Sequence, residues 1–192
     1  MRELRIHGRG GQGAVIASKL LAAALFREGR SVQSFPAFGV ERRGAPVTAF
    51  LRISDGPILL RCEITEPDDL IVLDHTLVEA VDVSVGLKPY GSILINSDRD
   101  PLTYTKLRST YRVATVDASR IARAHGIGSK TQPIVNTSIL GAFAVYSQIV
   151  SLDAVLEAIR TDVPFSTEEN VKAAEEAAYA VLSAPSLEVQ HA

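Results

Sequence analysis

Near the N-terminus, Gly8, Arg9, Gly10, Gly11, Gln12 and Gly13 form a G-x-G-x-x-G turn. It lies between the apolar run Leu4–Ile6 and a long apolar stretch beginning at Ala14. A glycine-rich turn between a strand and a helix lets backbone N–H groups approach a phosphate at the helix N-terminus. The chemistry this predicts is anion binding. Glycines that merely let strand and helix pack closely would give the same spacing. A second dense segment runs from Phe35 to Pro46. Pro36, Gly39, Gly44 and Pro46 shape it, and Glu41, Arg42 and Arg43 stand in its middle. Arginines beside a phosphate-type turn complement anionic groups through charge-assisted hydrogen bonds. A solvated, salt-bridged loop has the same composition.

What is missing narrows the chemistry. A nicotinamide dinucleotide site wants Asp or Glu at the end of the second strand, about 20 residues on. Here Ser31-Val32-Gln33-Ser34-Phe35 runs into Pro36 with no carboxylate, and with no arginine for a 2′-phosphate. The single cysteine, Cys62, excludes an internal disulfide and cannot supply the four thiolates of an iron–sulfur cluster. His7, His75, His125 and His191 lack metal-ligand spacing, so no metal is expected. No G-x-S-x-G motif or nucleophile–base pairing is present, so the chain by itself does not read as a complete catalyst. A net charge of −2 carries no nucleic-acid footprint. Met1-Arg2-Glu3 leads straight into a strand-like run, and no apolar run approaches the ~20 residues of a membrane span. These features predict a cytoplasmic protein.

The elements that must position these residues alternate along the chain. Strands are predicted at Leu4–His7, Ser31–Phe35, Leu70–Leu73, Ser92–Ile95 and Val113–Val116. Val47–Ser54 and Ile58–Cys62 flank Asp55-Gly56-Pro57 and predict an antiparallel hairpin. Helices are predicted at Gln12–Glu28, closed by Gly29, and at Leu77–Val83, Ala118–Ala124, Ser138–Val150 and Leu152–Arg160. Ser166 and Glu169 have capping-box spacing before an Ala-rich helix reaching about Leu182, with Glu168–Lys172 and Lys172–Glu176 as i,i+4 pairs. The fold class is therefore α/β: a single Rossmann-like domain over 1–192, mostly parallel, with an antiparallel hairpin portion and helices on both faces, and a C-terminal helix and tail at about 166–192. The helices from Ala14 and from Ser138 are apolar almost all round, which predicts burial either within the domain or against a partner subunit. Asp74, His75, Asn96, Ser97 and Asp117 follow strands and read as caps or turn residues. Asn136 and Thr137 open the second apolar helix, where ligand contact and N-capping are both open.

Three blocks in order carry a family resemblance: His7 to Ala14, Phe35 to Val47, and Pro133-Ile134-Val135-Asn136-Thr137-Ser138-Ile139-Leu140-Gly141-Ala142. Over roughly residues 2–180 the chain resembles the gamma subunit of the 2-oxoacid:ferredoxin oxidoreductases, pyruvate synthase type. The resemblance implies a subunit of a multi-chain enzyme that converts a 2-oxoacid and coenzyme A reversibly to an acyl-CoA and carbon dioxide, passing electrons to ferredoxin. It implies alpha, beta and delta-type partner subunits that carry thiamine diphosphate, magnesium and the iron–sulfur clusters. It associates the gamma-type domain with the coenzyme A site. On that basis Gly8–Gly13, Glu41, Arg42, Arg43, Asn136 and Thr137 become candidates for holding CoA or its phosphates, and no residue of this chain is assigned a catalytic role. The Phe-Gly-Val-Glu-Arg-Arg-Gly-Ala-Pro loop resembles the pyruvate and branched-chain group more than the 2-oxoglutarate or indolepyruvate groups. Ile139 stands where the family often has methionine. A purely structural interaction subunit, or a free-standing nucleotide-binding oxidoreductase, are the competing expectations.

Overall fold

The computed structural model describes residues 1–37 and 44–184. Its centre is a seven-stranded sheet. The strands are β1 (Arg2–Arg9), β2 (Ser31–Pro36), β3 (Pro46–Ser54), β4 (Asp69–Val72), β5 (Ser92–Asn96), β6 (Arg112–Val116) and β7 (Leu182–Ala184), in the order β2-β3-β1-β4-β5-β6-β7. Strands β1, β4, β5 and β6 pair in parallel, whereas β3 runs antiparallel to both β1 and β2, and β7 antiparallel to β6. The helices are α1 (Ala14–Arg27), α2 (Leu77–Ala80), α3 (Thr105–Arg108), α4 (Ala118–Ala124), α5 (Asn136–Ser147), α6 (Leu152–Asp162) and α7 (Thr167–Ala180). Short aliphatic runs in β4 and β5 are buried throughout, as strands covered on both faces must be. Strand β1 alternates instead: Leu4 and Ile6 enter the main core while Arg5 and His7 face the other way.

That alternation divides the molecule into unequal layers. On one face α1, α4, α5, α6 and α7 bury Leu4, Ile6, Leu51, Ile71 and Leu94 in one large cluster. On the other, Leu70, Val72, Ile93, Ile95 and Val113 meet only the short α2 and the stretch through Val83, Leu87 and Tyr104. The apolar character of α5 is explained within the chain, since α1, α6 and α7 pack around it. Gly141 permits the closest of these approaches, because a Cβ there would collide with the carbonyl of Ala174 in α7. Helix α1 differs. Its inner side is buried, but Ile16 and Phe26 stay exposed.

Several expectations need correction. Ile58–Cys62 is not a strand, and the antiparallel portion is built from β2 and β3 instead. Both edges of β3 are already paired with β1 and β2, and Pro57 has no N–H to donate, so no third partner can form. The segment is held from beneath by Arg52, which is almost fully buried. Its Nε donates to Glu3 Oε1 at 2.8 Å, Nη1 to Gln33 Oε1 at 2.9 Å and Nη2 to Cys62 O at 2.8 Å. The capping box at Ser166 does not form: Ser166 adopts φ 50°, ψ 40°, away from the extended geometry an N-cap needs. Asn170 Nδ2 instead donates to Ser166 O at 2.8 Å, a contact that fixes the turn without capping the helix. Glu176 turns outward to Arg120 and His125 of α4, tying the two helices together. Helix α7 ends at Ala180, and the chain then adds β7 to the sheet edge, an element the sequence reading does not contain.

Candidate functional site

The chain leaves β1 toward the large layer through α1 and leaves β4 toward the thin layer through α2. Where successive connections diverge to opposite faces, the strand ends open a crevice, the usual ligand position in open α/β sheets. A cleft of about 940 Å³ lies there. Arg9, Gly10, Gly11 and Gln12 form one wall, Leu73, Asp74, His75 and Asn96 the floor, and Ser119, Arg123 and the 131–135 stretch the far wall.

The glycine turn forms the strand–turn–helix junction that its spacing predicts. Gly13 is the N-cap of α1 in the left-handed region at φ 84°, and a Cβ there would stand 2.7 Å from Asn136 Nδ2. The first N–H groups of α1 have no partner inside the helix. The turn is also cross-linked. Gly10 N–H donates to Ala45 O at 2.9 Å, Gly44 N–H to Gly10 O at 3.1 Å, and Gln12 N–H to Arg9 O at 3.0 Å.

Arg9 does not reach freely into the cleft. Its Nε donates to Asp74 Oδ2 at 3.0 Å, Nη1 to Gly44 O at 3.2 Å and Nη2 to Thr76 Oγ1 at 2.9 Å. Gln12 closes the same knot, donating through Nε2 to Asp74 Oδ2 at 3.0 Å and accepting from Arg9 N–H at 2.8 Å. Burial is the largest single influence on the Asp74 carboxyl and opposes its ionisation. Hydrogen bonds from the Thr76 hydroxyl and N–H and from Gln12, with the Arg9 charge, together outweigh it and hold the group below its ordinary value. Asp74 is thus both a turn residue and the anchor of two candidate ligand residues, a role its sequence position does not reveal.

The remaining candidates separate. Gly8 lies within β1 against Leu73. Glu41, Arg42 and Arg43 lie outside the described residues. Asn136 abuts Gly13 rather than lining the cleft. Its side chain does not cap α5; its Oδ1 accepts from the next N–H, that of Thr137, at 2.9 Å. Thr137 is buried and donates to Asn170 Oδ1 at 2.6 Å, so it does not meet the cleft. Asn96 stitches the floor together, donating to Leu73 O at 2.8 Å and Ser119 Oγ at 2.9 Å. Asp117 caps α4 as its position predicts. Sequence reasoning missed Ser119 and Arg123. Their i,i+4 spacing on the helix after β6 was the available signal.

A dinucleotide dehydrogenase geometry is excluded by the topology as well as by composition. Strand β3 is inserted between β1 and β2. The end of β2, where a ribose-binding acid would sit, is therefore displaced by one strand spacing, roughly 5 Å, from its place beside β1. Among the described residues, no group of three or more His, Cys, Asp or Glu side chains is placed to hold a metal ion. No described helix is long and apolar enough to cross a membrane.

Comparison with known proteins agrees with this architecture. The family model for pyruvate ferredoxin/flavodoxin oxidoreductase matches residues 3–180. The pyruvate/ketoisovalerate oxidoreductases common subunit gamma of Thermococcus kodakarensis is 48% identical over 180 residues, covering 92% of this chain and 95% of that one. Among solved structures, pyruvate oxidoreductase subunit PORC of Thermotoga maritima superposes with a TM-score of 0.78 at 33% identity, covering 95% and 98% of the two chains. The 2-oxoglutarate:ferredoxin oxidoreductase of Magnetococcus marinus, solved with 2-oxoglutarate, coenzyme A and succinyl-CoA bound, shares the fold. That match has a TM-score of 0.71 at 19% identity, covering 96% of this chain and 32% of the other. A fold and a sequence shared over nearly the whole length place this chain in the pyruvate ferredoxin/flavodoxin oxidoreductase family, as a gamma-type subunit.

Proposed function

We propose that this gamma subunit serves an enzyme that converts pyruvate, coenzyme A and oxidised ferredoxin to acetyl-CoA, carbon dioxide and reduced ferredoxin, and that its own part is to position coenzyme A. The observation that carries this reading is the cleft at the ends of β1, β4 and β5: about 940 Å³, edged by a glycine turn at a helix N-terminus and without a ribose-binding acid. Such a site suits an elongated phosphate-bearing molecule and not a conventional nicotinamide dinucleotide. The Magnetococcus relative, which shares the fold, was solved with coenzyme A bound, which supports the reading.

Alpha, beta and delta-type subunits would supply thiamine diphosphate, magnesium and iron–sulfur clusters. One cysteine in 192 residues does not fit a cluster site in this chain. The complex is expected in the cytoplasm. Choice of 2-oxoacid would rest with the thiamine-binding chains, so the same gamma subunit could serve a 2-oxoisovalerate enzyme. A docking role accompanies the positioning role, since Ile16 and Phe26 of α1 and Leu59 offer exposed apolar surface.

Gentle anaerobic isolation of the tagged chain should bring down thiamine-binding and iron-carrying subunits with CoA-dependent pyruvate oxidation. In that assembly, replacing Arg42 and Arg43 by Ala should raise the apparent KM for CoA by about tenfold while assembly is unchanged. A CoA dependence identical to wild type would remove both arginines from the site.

A further inference from the structure

The cleft has two described arginines, and they are differently committed. Arg9 is engaged at Nε, Nη1 and Nη2, and the ionised Asp74 carboxylate stands 3.0 Å from its Nε. An anion brought to the glycine turn therefore meets a carboxylate as well as a guanidinium, and the two Coulomb contributions oppose each other at similar range. The N–H groups of Gly10 and Gln12 are likewise taken, by Ala45 O and Arg9 O.

Arg123 lies on the opposite wall, in the last turn of α4, and is exposed. Its guanidinium has no hydrogen-bond or ion-pair partner among the described residues. The acidic group nearest in kind, Glu176, is occupied by Arg120 Nη2 at 3.1 Å and His125 Nε2 at 2.8 Å. Asp117, on the same helix, accepts from Arg120 N–H at 2.8 Å at the other end. Arg123 therefore brings an uncompensated positive charge to a cleft whose other described arginine is neutralised. Thr131, on the neighbouring stretch of the same wall, adds a hydroxyl.

We infer that Arg123 is the residue of this cleft that takes an anionic phosphate group of the ligand, and that Arg9 is a positioning residue which, with Asp74 and Gln12, fixes the shape of the glycine turn. The inference rests on the reading that coenzyme A occupies this cleft. It assigns one phosphate group to the α4 wall, opposite the glycine turn. A purely structural role for Arg123 also exists, because a cation at a helix C-terminus favours the helix dipole.

The test uses the assembled enzyme and three variants. Arg123→Ala should raise the apparent KM for CoA about three- to tenfold with kcat little changed, the range a charge-assisted contact in a part-exposed site supports. Arg123→Lys should restore much of the loss. Competitive inhibition by adenosine 3′,5′-diphosphate should weaken in step, whereas inhibition by pantetheine, which has no phosphate, should not move; a helix-dipole role would leave both unchanged. Thr131→Trp fills the cleft from an exposed position and reports whether CoA is there at all. If Thr131→Trp raises the KM for CoA and Arg123→Ala leaves both the KM and the diphosphate inhibition untouched, the assignment of Arg123 is wrong and the cleft reading stands. If neither variant alters the response to CoA, the cleft reading itself is wrong and the assignment falls with it.

Discussion

His7 precedes the glycine turn directly, and its environment makes the stability of this end of β1 depend on pH. The imidazole is driven from 6.5 down to about 4, first by burial and then by the neighbouring Arg5 charge, against a hydrogen bond to the Val83 backbone that favours the proton. Arg5 Nε donates to His7 Nε2 at 3.0 Å, a bond that protonation of that nitrogen destroys. The direction follows from linkage. Below pH 6.5 the unfolded chain takes up a proton that the folded chain refuses, so folding stability falls as the pH is lowered, and the loss levels off once the pH passes about 4. A difference of about 2.5 pKa units at 1.36 kcal/mol each gives a loss of about 3 kcal/mol. With an m-value of roughly 2–3 kcal/mol/M, this lowers the urea midpoint by about 1 M. Urea unfolding of wild type and His7→Gln should be measured at intervals from pH 7 to 4. Glutamine keeps an acceptor for Arg5 but cannot titrate, so subtracting the two profiles removes the carboxylates common to both. The wild type should lose the extra stability across that window. Parallel profiles would show that His7 titrates normally and that the burial argument is wrong.

Other consequences are equally open to measurement. Asp74→Ala removes the shared acceptor of Arg9 and Gln12, and should destabilise the chain by about 1–3 kcal/mol in urea unfolding while lowering kcat/KM for CoA. Asp74→Asn should be milder, because its amide oxygen can still accept. Gly141→Ala forces a methyl group into the Ala174 carbonyl and should cost about 2–4 kcal/mol, seen as a lower Tm. A Tm within a degree of wild type would show that α5 and α7 can separate without penalty.

Much of this molecule was legible because periodicity and burial agree. The aliphatic runs of β4, β5 and β6 could only be interior strands, and the G-x-G-x-x-G spacing correctly located a strand–turn–helix junction. The misreadings share a cause: they turn on non-local pairing. Ile58–Cys62 has strand composition, yet β3 had no free edge to offer it. Ser166 and Glu169 have the right spacing, yet the backbone at Ser166 is left-handed. At the cleft, sequence could mark Arg9 as a cation but not show that Asp74, 65 residues away, neutralises it. It could place Thr137 beside Asn136 but not show that the helix faces Asn170 with one and Gly13 with the other. Arg123 was hard to see for the converse reason: its i,i+4 spacing from Ser119 is a faint signal on a short helix, and only the strand order β1-β4-β5-β6 brings α4 to the same crevice as the glycine turn.

The contact between Asn136 and Gly13 has a mechanical consequence. Asn136 begins α5, the helix enclosed by α1, α6 and α7, so the glycine turn is braced against the buried interior of the protein. The 128–132 stretch of the opposite wall is exposed instead. From Gly128 to Gln132 it is an exposed excursion, closed by the bridge between Gly128 and Pro133, by Ile134 N–H donating to Ile127 O at 3.2 Å and by Ser129 N–H donating to Gln132 O at 3.1 Å. The turn is therefore the fixed jaw of the cleft, and the exposed 128–132 stretch faces it from the solvent side. Whatever molecule the cleft holds would take its orientation from the braced side.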